Sequence, residues 1–317
     1  MSFDMEMEDY IEDMEFKNKQ KKYLVTGGAG FVGSNIVDEL INRGNQVVVI
    51  DNESANENDR FYWNDKAENH KYNICDYDKI ESLFKGVDYV FHLAAQSRIQ
   101  PAIKNPVYTV KVNCEGTTNI LQASREHGVK RVIYSSTSAC YGLINEPPLH
   151  EDMTTDCLNP YSVTKVAGED ICEMYTRLFG LKTVIFRYFN VYGDRQPTKG
   201  QYAPVIGLFK KQKDNGEPMT VVGDGLQTRD YTNVKDVVNA NILATKSDNV
   251  GNAELINIGA GKSYSVLDLV DMIGGEHVFI PSRIGESRHT LADISRAQHL
   301  LDWNPKVSLE DWLEENK

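Results

Sequence analysis

Tyr161-Ser-Val-Thr-Lys165 sets a phenol and an ammonium four residues apart, on one face of a helix. A lysine cation beside a phenol favours the phenolate, which makes Tyr161 a usable general base near neutral pH. Upstream, Thr26-Gly27-Gly28-Ala29-Gly30-Phe31-Val32-Gly33 has the spacing G-x-x-G-x-x-G. Gly27, Gly30 and Gly33 let backbone approach a pyrophosphate and let a helix approach a strand. The helix N-terminus then offers amides and a partial positive charge to phosphate. Tyr-x-x-x-Lys alone is a common pattern. Downstream of a dinucleotide turn it points to redox chemistry at a hydroxyl-bearing carbon.

Asp51 ends the second apolar strand and can accept hydrogen bonds from the adenosine ribose hydroxyls. Its charge repels a 2′-phosphate, so NAD is favoured over NADP. Asn52 adds no charge that would attract NADP. Asp76, after Ile74-Cys75, reads either as a partner of the adenine amino group or as an ordinary loop aspartate.

These residues need a scaffold, and the hydrophobic pattern describes one. Strands are expected at Lys22–Thr26, Gln46–Ile50, 87–93, 131–135 and 182–187. Helices are expected at Phe31–Asn42, 107–127 and 161–179. The strands are continuous apolar runs, as in a parallel sheet covered on both faces. The alternation predicts an α/β, doubly wound parallel sheet of Rossmann type with a smaller α/β lobe. After Arg187 glycines and prolines break the pattern, with further elements expected at 234–245, 254–258, Val266–Ile273 and 294–301. The expected division is an N-terminal extension 1–20, a dinucleotide domain 21–187 plus 231–258, and a second lobe 188–230 plus 259–317. Residues 5–20 read either as a short amphipathic helix or as disordered chain.

With 317 residues, 34 Lys plus Arg and 46 Asp plus Glu, the net charge is −12. A chain of this length buries about 75% of its unfolded surface and needs no disulfide staple. An acidic balance argues against nucleic-acid and anionic-membrane partners. Cys75, Cys114, Cys140, Cys157 and Cys172 form no C-x-x-C pair and read as reduced thiols in a cytoplasmic protein. No apolar run approaches about 18 residues. The acidic stretch 1–15 is not read as a secretion signal.

The chain resembles the extended short-chain dehydrogenase/reductase family, specifically the NAD-dependent nucleotide-sugar epimerases and dehydratases, over 22–313. The resemblance rests on the glycine turn, His92-Leu93-Ala94-Ala95-Gln96, Ser135-Ser136-Thr137, Tyr161 to Lys165, Arg187-Tyr188-Phe189-Asn190-Val191-Tyr192-Gly193 and Arg229-Asp230-Tyr231. It is nearest to UDP-hexose 4-epimerases, above all those acting on N-acetylated sugars. Arg283-Ile284-Gly285-Glu286-Ser287-Arg288-His289-Thr290-Leu291-Ala292-Asp293-Ile294 is of that type, and an N-terminal extension also occurs there.

The resemblance implies that Tyr161 takes the proton of the sugar 4-hydroxyl while hydride passes from C4 to NAD. A 4-keto sugar turns over in the site, and hydride returns to its other face. Lys165 holds the nicotinamide ribose, and Thr137 bonds the reacting hydroxyl. Cofactor contacts are implied for Gly27, Gly30, Phe31, Val32, Gly33, Asp51 and Asn52, and for Ile74, Asp76, Leu93, Ala94, Ala95 and Gln96. Asn113, Ser135, Tyr161, Lys165 and Tyr188 complete that set. Substrate contacts are implied for Arg98, Ser136, Thr137, Asn190 and Val205, and for Arg229, Glu286, Arg288 and Thr290. Arg229 and Arg288 suit phosphate oxygens. No metal is implied.

Departures from the family refine the expectation. Related dehydratases follow the Thr with an Asp-Glu pair, and decarboxylating relatives keep a Glu. Here Ser138-Ala139 stands instead. Ala139 can move no proton, so oxidation and reduction at C4 remain. Cys140 reads as a packed, inert thiol. Small Thr290 stands where a bulky Tyr would exclude an N-acetyl group, so UDP-GlcNAc and UDP-GalNAc are expected to fit, alongside UDP-Glc and UDP-Gal. Arg98 keeps a uronic acid sugar open as the alternative substrate; a dehydratase or net oxidoreductase is the other. The loop 53–64 is unlike the family's short stretch, and packing over the adenine edge is one reading. A homodimer is expected through helices 107–127 and 161–179, with Ile171, Tyr175, Leu178 and Phe179 as candidate contacts.

Overall fold

The computed structural model describes residues 20–55, 58–198, 203–282 and 287–316. In chain order the strands are β1 (Lys22–Thr26), β2 (Gln46–Ile50), β3 (Glu68–His70), β4 (Tyr89–His92), β5 (Arg131–Thr137), β6 (Thr183–Tyr188) and β7 (Val191–Tyr192). They continue with β8 (Met219–Val222), β9 (Thr228–Asp230), β10 (Thr232–Asn233), β11 (Asn252–Ile258), β12 (Ser263–Ser265) and β13 (His277–Ile280). Seven form one sheet in the order β11-β6-β5-β4-β1-β2-β3. Every pairing in it is parallel.

Successive side chains of a strand face opposite ways. Val25, Val47 and Val49 enter one core with Ile36, Val37 and Val237. Leu24, Val48 and Ile50 enter the other with Ile120, Leu121 and Cys172. Both faces are therefore covered, which is why these strands read as continuous apolar runs. The chain runs outward from β1 through β2 and β3, then restarts on the other side of β1 at β4. That reversal opens a crevice at the strand C-termini, and a ligand binds at such a switch point.

The helix Pro160–Phe179 is defined at both ends. Asn159 accepts from Ser162 N, Pro160 fills the first turn, and Gly180 at φ 70° stops it. The single helix expected over 107–127 is instead Pro106–Val110, a π-helical stretch Lys111–Gly116, and Thr117–Glu126. A further helix, Ile99–Lys104, precedes it. Hydrophobic period does not register one wide turn, so the sequence shows no break.

A third core, including Tyr192, Phe209, Met219, Leu269 and Trp312, builds the second lobe. Its strands are short pairs: β8 with β13, β9 with β12, β7 with β10. Ala297, Leu301 and Trp303 pack with the sheet instead, and Trp303 Nε1 donates to Asp236 O at 3.0 Å.

Candidate active site

The glycine turn links β1 to the helix Phe31–Asn42. Gly27 has φ 69°, and a Cβ there would lie 2.8 Å from Ala94 N. A Cβ on Gly33 would lie 2.2 Å from Gly27 O. Only hydrogen fits, so the helix N-terminus is drawn hard against the turn. No side chain caps that terminus and no acid lies in its first turn, which leaves amide dipoles for an anion. Asp51 accepts from Ala29 N at 3.1 Å and Glu53 N at 2.8 Å. One carboxylate thus fixes the turn and keeps lone pairs for a diol. Burial raises its pKa, and these amides oppose the rise.

His92 braces the turn from behind. Its Nδ1 lies 2.7 Å from Thr26 Oγ1, which accepts from Ala94 N at 3.2 Å. Its Nε2 lies 2.9 Å from Thr117 Oγ1. An Nε2–H tautomer satisfies all three groups.

A cavity of about 540 Å³ opens from the turn toward the second lobe. Its dinucleotide side is lined by Gly27, Gly30, Phe31, Val32 and Gly33, by Asp51, Asn52 and Ile74, and by Leu93, Ala94 and Ala95. Ser135, Ser136, Thr137, Tyr161, Lys165 and Tyr188 meet at its centre, and Arg98, Asn190, Val205, Arg229 and Thr290 border it beyond. Asn58, Phe61 and Asn73 also line it; they sit in irregular loops, where the sequence offers no periodic signal.

Several predicted residues lie elsewhere. Asp76 is outside the lining because its carboxylate turns to Lys79 at 3.1 Å. Asn113 and Gln96 do not line the cavity. Asn113, turned inward by the π-helical stretch, accepts from Gln96 N at 2.7 Å and donates to Gln96 O at 3.2 Å and Thr164 Oγ1 at 2.9 Å. It ties the loop after β4 to the Tyr161 helix. Arg288 is outside the lining too, exposed and paired with Asp224 at 2.7 Å. Glu286 lies outside the described residues.

Thr137 and Tyr161 both line the cavity. Burial raises the phenol, and Thr137 and Arg98 pull it back down. This corrects the expectation that Lys165 acidifies it. Lys165 Nζ instead lies over the Tyr134 ring, 4.1 Å from its centroid. Burial lowers Lys165 to about 8, and the Glu169 carboxylate opposes the fall. Tyr188, pushed up to about 12 by burial, accepts from Ser135 Oγ at 3.2 Å and Asn241 Nδ2 at 2.8 Å.

Ser136 borders the cavity, but its hydroxyl donates to Glu169. Glu169 in turn receives Arg187 Nη2 at 2.7 Å and Nε at 3.0 Å. The buried pair locks β5 and β6 to the helix Pro160–Phe179, a role not foreseen for Glu169. The four-residue spacing of Tyr161, Lys165 and Glu169 was its only trace. Cys140 is fully buried, and burial pushes its thiol up.

The match to known proteins spans this whole arrangement. The model of the NAD dependent epimerase/dehydratase family matches residues 23–259. The chain belongs to that family. A relative from Methanocaldococcus jannaschii, named putative UDP-glucose 4-epimerase, is 38% identical, covering 91% of this chain and 94% of its own. The solved UDP-glucose 4-epimerase of Thermotoga maritima, with UDP-glucose, superposes with a TM-score of 0.87 at 37% identity, covering 92% of this chain and 96% of its own. The UDP-N-acetylglucosamine 4-epimerase of Methanobrevibacter ruminantium superposes with a TM-score of 0.87 at 35%, covering 94% and 97%. The family enzyme uses NAD, and the residues here fit it. The uncapped helix terminus suits the pyrophosphate and Asp51 the adenosine ribose.

Proposed function

We propose that this enzyme interconverts UDP-sugars epimeric at C4, through a 4-keto sugar that stays in the site. The observation that supports it most is the Thr137–Tyr161 pair at the centre of a cavity bordered on one side by the glycine turn and on the other by Arg229 and Asn190. Bound NAD supplies a hydride acceptor that can return what it takes. Tyr161 receives the 4-hydroxyl proton and later restores it, with Thr137 holding the oxygen. Lys165 stands one helical turn on, where it can hold a ribose. Among the described lining residues the one carboxylate is Asp51, beside the glycine turn. No acid flanks Tyr161 to drive an elimination, which favours epimerisation over dehydration. Arg98, Lys165 and Arg229 supply local positive charge for a diphosphate in a chain of net charge −12.

Thr290 supports an N-acetylated substrate. It is buried and borders the cavity. Its hydroxyl accepts from Asp230 N at 3.3 Å and Asn190 Nδ2 at 3.5 Å, so little side chain is left to fill the space. A second reading, a UDP-uronic acid, is favoured by Arg98, whose charge bears on Tyr161 and would face a carboxylate one carbon from the reacting centre.

Incubation with UDP-Glc, UDP-GlcNAc and UDP-GlcA, with no added cofactor and NMR of the products, tests both readings. The expected result is UDP-GalNAc from UDP-GlcNAc. Turnover of UDP-Glc alone contradicts the Thr290 argument, and turnover of UDP-GlcA alone selects the second reading. A stable keto-sugar refutes epimerisation. The Tyr161→Phe variant should keep its dinucleotide and lose about 10²–10⁴-fold in turnover.

We also infer a homodimer. Ile103, Val107, Val110, Val163, Leu178 and Phe179 are exposed on the helices flanking β5 and β4. Tyr175 and Ile171, expected at that interface, pack inward against the sheet.

A further inference from the structure

The loop between β2 and β3 has no counterpart in the reaction described so far, yet it is heavily tied. Tyr62 N donates to Ala29 O at 2.8 Å, inside the glycine turn. Asn64 Nδ2 donates to Asp38 Oδ1 at 2.7 Å, on the helix that follows the turn. Asn58 and Phe61 line the cavity. Asn58 Nδ2 lies 3.9 Å from where a Cβ on Gly30 would sit, beside the uncapped helix terminus.

The same loop reaches the second lobe. Asp59 Oδ2 accepts from Thr198 N at 2.8 Å and Thr198 Oγ1 at 2.9 Å, and Asp59 Oδ1 lies 3.8 Å from Lys211 Nζ. The Tyr62 ring has two guanidinium partners, Arg60 at 4.6 Å and Arg195 at 4.9 Å from its centroid. Arg195 also pairs with Asp38 at 2.5 Å. It does so from a left-handed backbone, φ 70°, a conformation that persists only where surrounding contacts impose it. Asn35 Nδ2, on the same helix, donates to Asp194 O at 3.1 Å. One exposed ion pair is worth little. Here hydrogen bonds, ion pairs and stacking converge on one seam, between the dinucleotide helix and the second lobe.

We propose that residues 58–64 are a clasp across the dinucleotide end of the cavity, held shut by Asp59 and Arg195 as positioning residues, and that it retains NAD between turnovers. The proposal rests on the epimerase reading, in which the cofactor is restored in place and never needs to leave. Opening the cleft at this end requires parting Asp59 from Thr198 and Arg195 from Tyr62 and Asp38. Thr137, Tyr161 and Lys165 lie outside the clasp and keep their places in that motion, so the clasp governs release rather than chemistry.

The test compares the purified enzyme with an Asp59→Ala, Arg195→Ala double variant and with Asp59→Asn. Each is desalted, its nucleotide is released by heat, and NAD per chain is followed over time. The double variant should lose NAD about tenfold faster or more, the equivalent of one or two lost charged hydrogen bonds. At saturating added NAD its kcat should return to that of the parent enzyme. If the double variant does not fold, Asp59→Asn, which keeps the shape of an exposed side chain, must still speed release. Unchanged release in the folded variants overturns the clasp, as does a kcat that stays depressed at saturating NAD. NAD content is read without any sugar. Unchanged release with continuing epimerisation sinks the clasp alone, whereas faster release with no sugar converted sinks the epimerase reading alone.

Discussion

Burial lifts the Tyr161 phenol, and its counterweights are Thr137 and Arg98. The spacing of Tyr161 and Lys165 was plain in the sequence because one helix fixes it. The direction in which Lys165 points was not, since the Tyr134 ring that receives it comes from β5. The Ser136 hydroxyl illustrates the same limit. Its partner Glu169 is set by how a helix lies on the sheet. His92 is a buried imidazole behind the glycine turn. Burial holds it near 3, against about 6.5 in an unfolded chain. Below pH 6.5 the unfolded chain binds a proton that the folded chain refuses. The stability His92 contributes is complete above 6.5 and lost as pH falls toward 3. Between pH 6.5 and 5 that amounts to about 2 kcal/mol. Urea unfolding at the two pH values should show this extra loss in the parent chain and not in His92→Asn. Equal losses in both would contradict a buried neutral imidazole.

The glycine turn was legible as an element because strand, glycines and helix follow one another within a few residues. Gly33 is the position with least freedom, its missing Cβ falling 2.2 Å from Gly27 O. Gly33→Ala forces the helix away from the turn. The expected cost is about 1–3 kcal/mol of stability, as for other overpacked sites, together with loss of copurified NAD. Denaturant unfolding and nucleotide content check both, and a variant with parental NAD content would refute the close approach. The π-helical stretch Lys111–Gly116 was not legible. Its cause is tertiary. A Cβ on Gly116 would lie 2.5 Å from Ile74 Cδ1, and Asn113 must turn inward to reach Gln96 and Thr164. Neither requirement alters the apolar period of 107–127.

The parallel sheet was legible from the alternation of elements, whereas its order and the short edge strand β3 are seen in the structure, where the reversal between β1 and β4 sets the crevice. The second lobe resisted the sequence because its strands are two to four residues long and pair with partners distant in the chain, as β8 does with β13. Its tail folds back, so Trp303 belongs to the sheet's core. At this scale the exposed apolar row from Ile103 to Val110, with Leu178 and Phe179, is the feature to test. Light scattering should give twice the mass of one chain for the parent protein. Val107→Asp combined with Leu178→Asp should give a single chain that still binds NAD. A parent protein that runs as a monomer contradicts the interface.

In the proposed reaction hydride leaves C4 of the sugar and returns to the same carbon without reaching solvent. A UDP-sugar substrate deuterated at C4, incubated in ordinary water with no cofactor added, reports this by NMR. Both epimers at equilibrium are expected to keep deuterium at C4. Replacement of that deuterium by solvent hydrogen, at the rate of epimerisation, would contradict the proposed reaction.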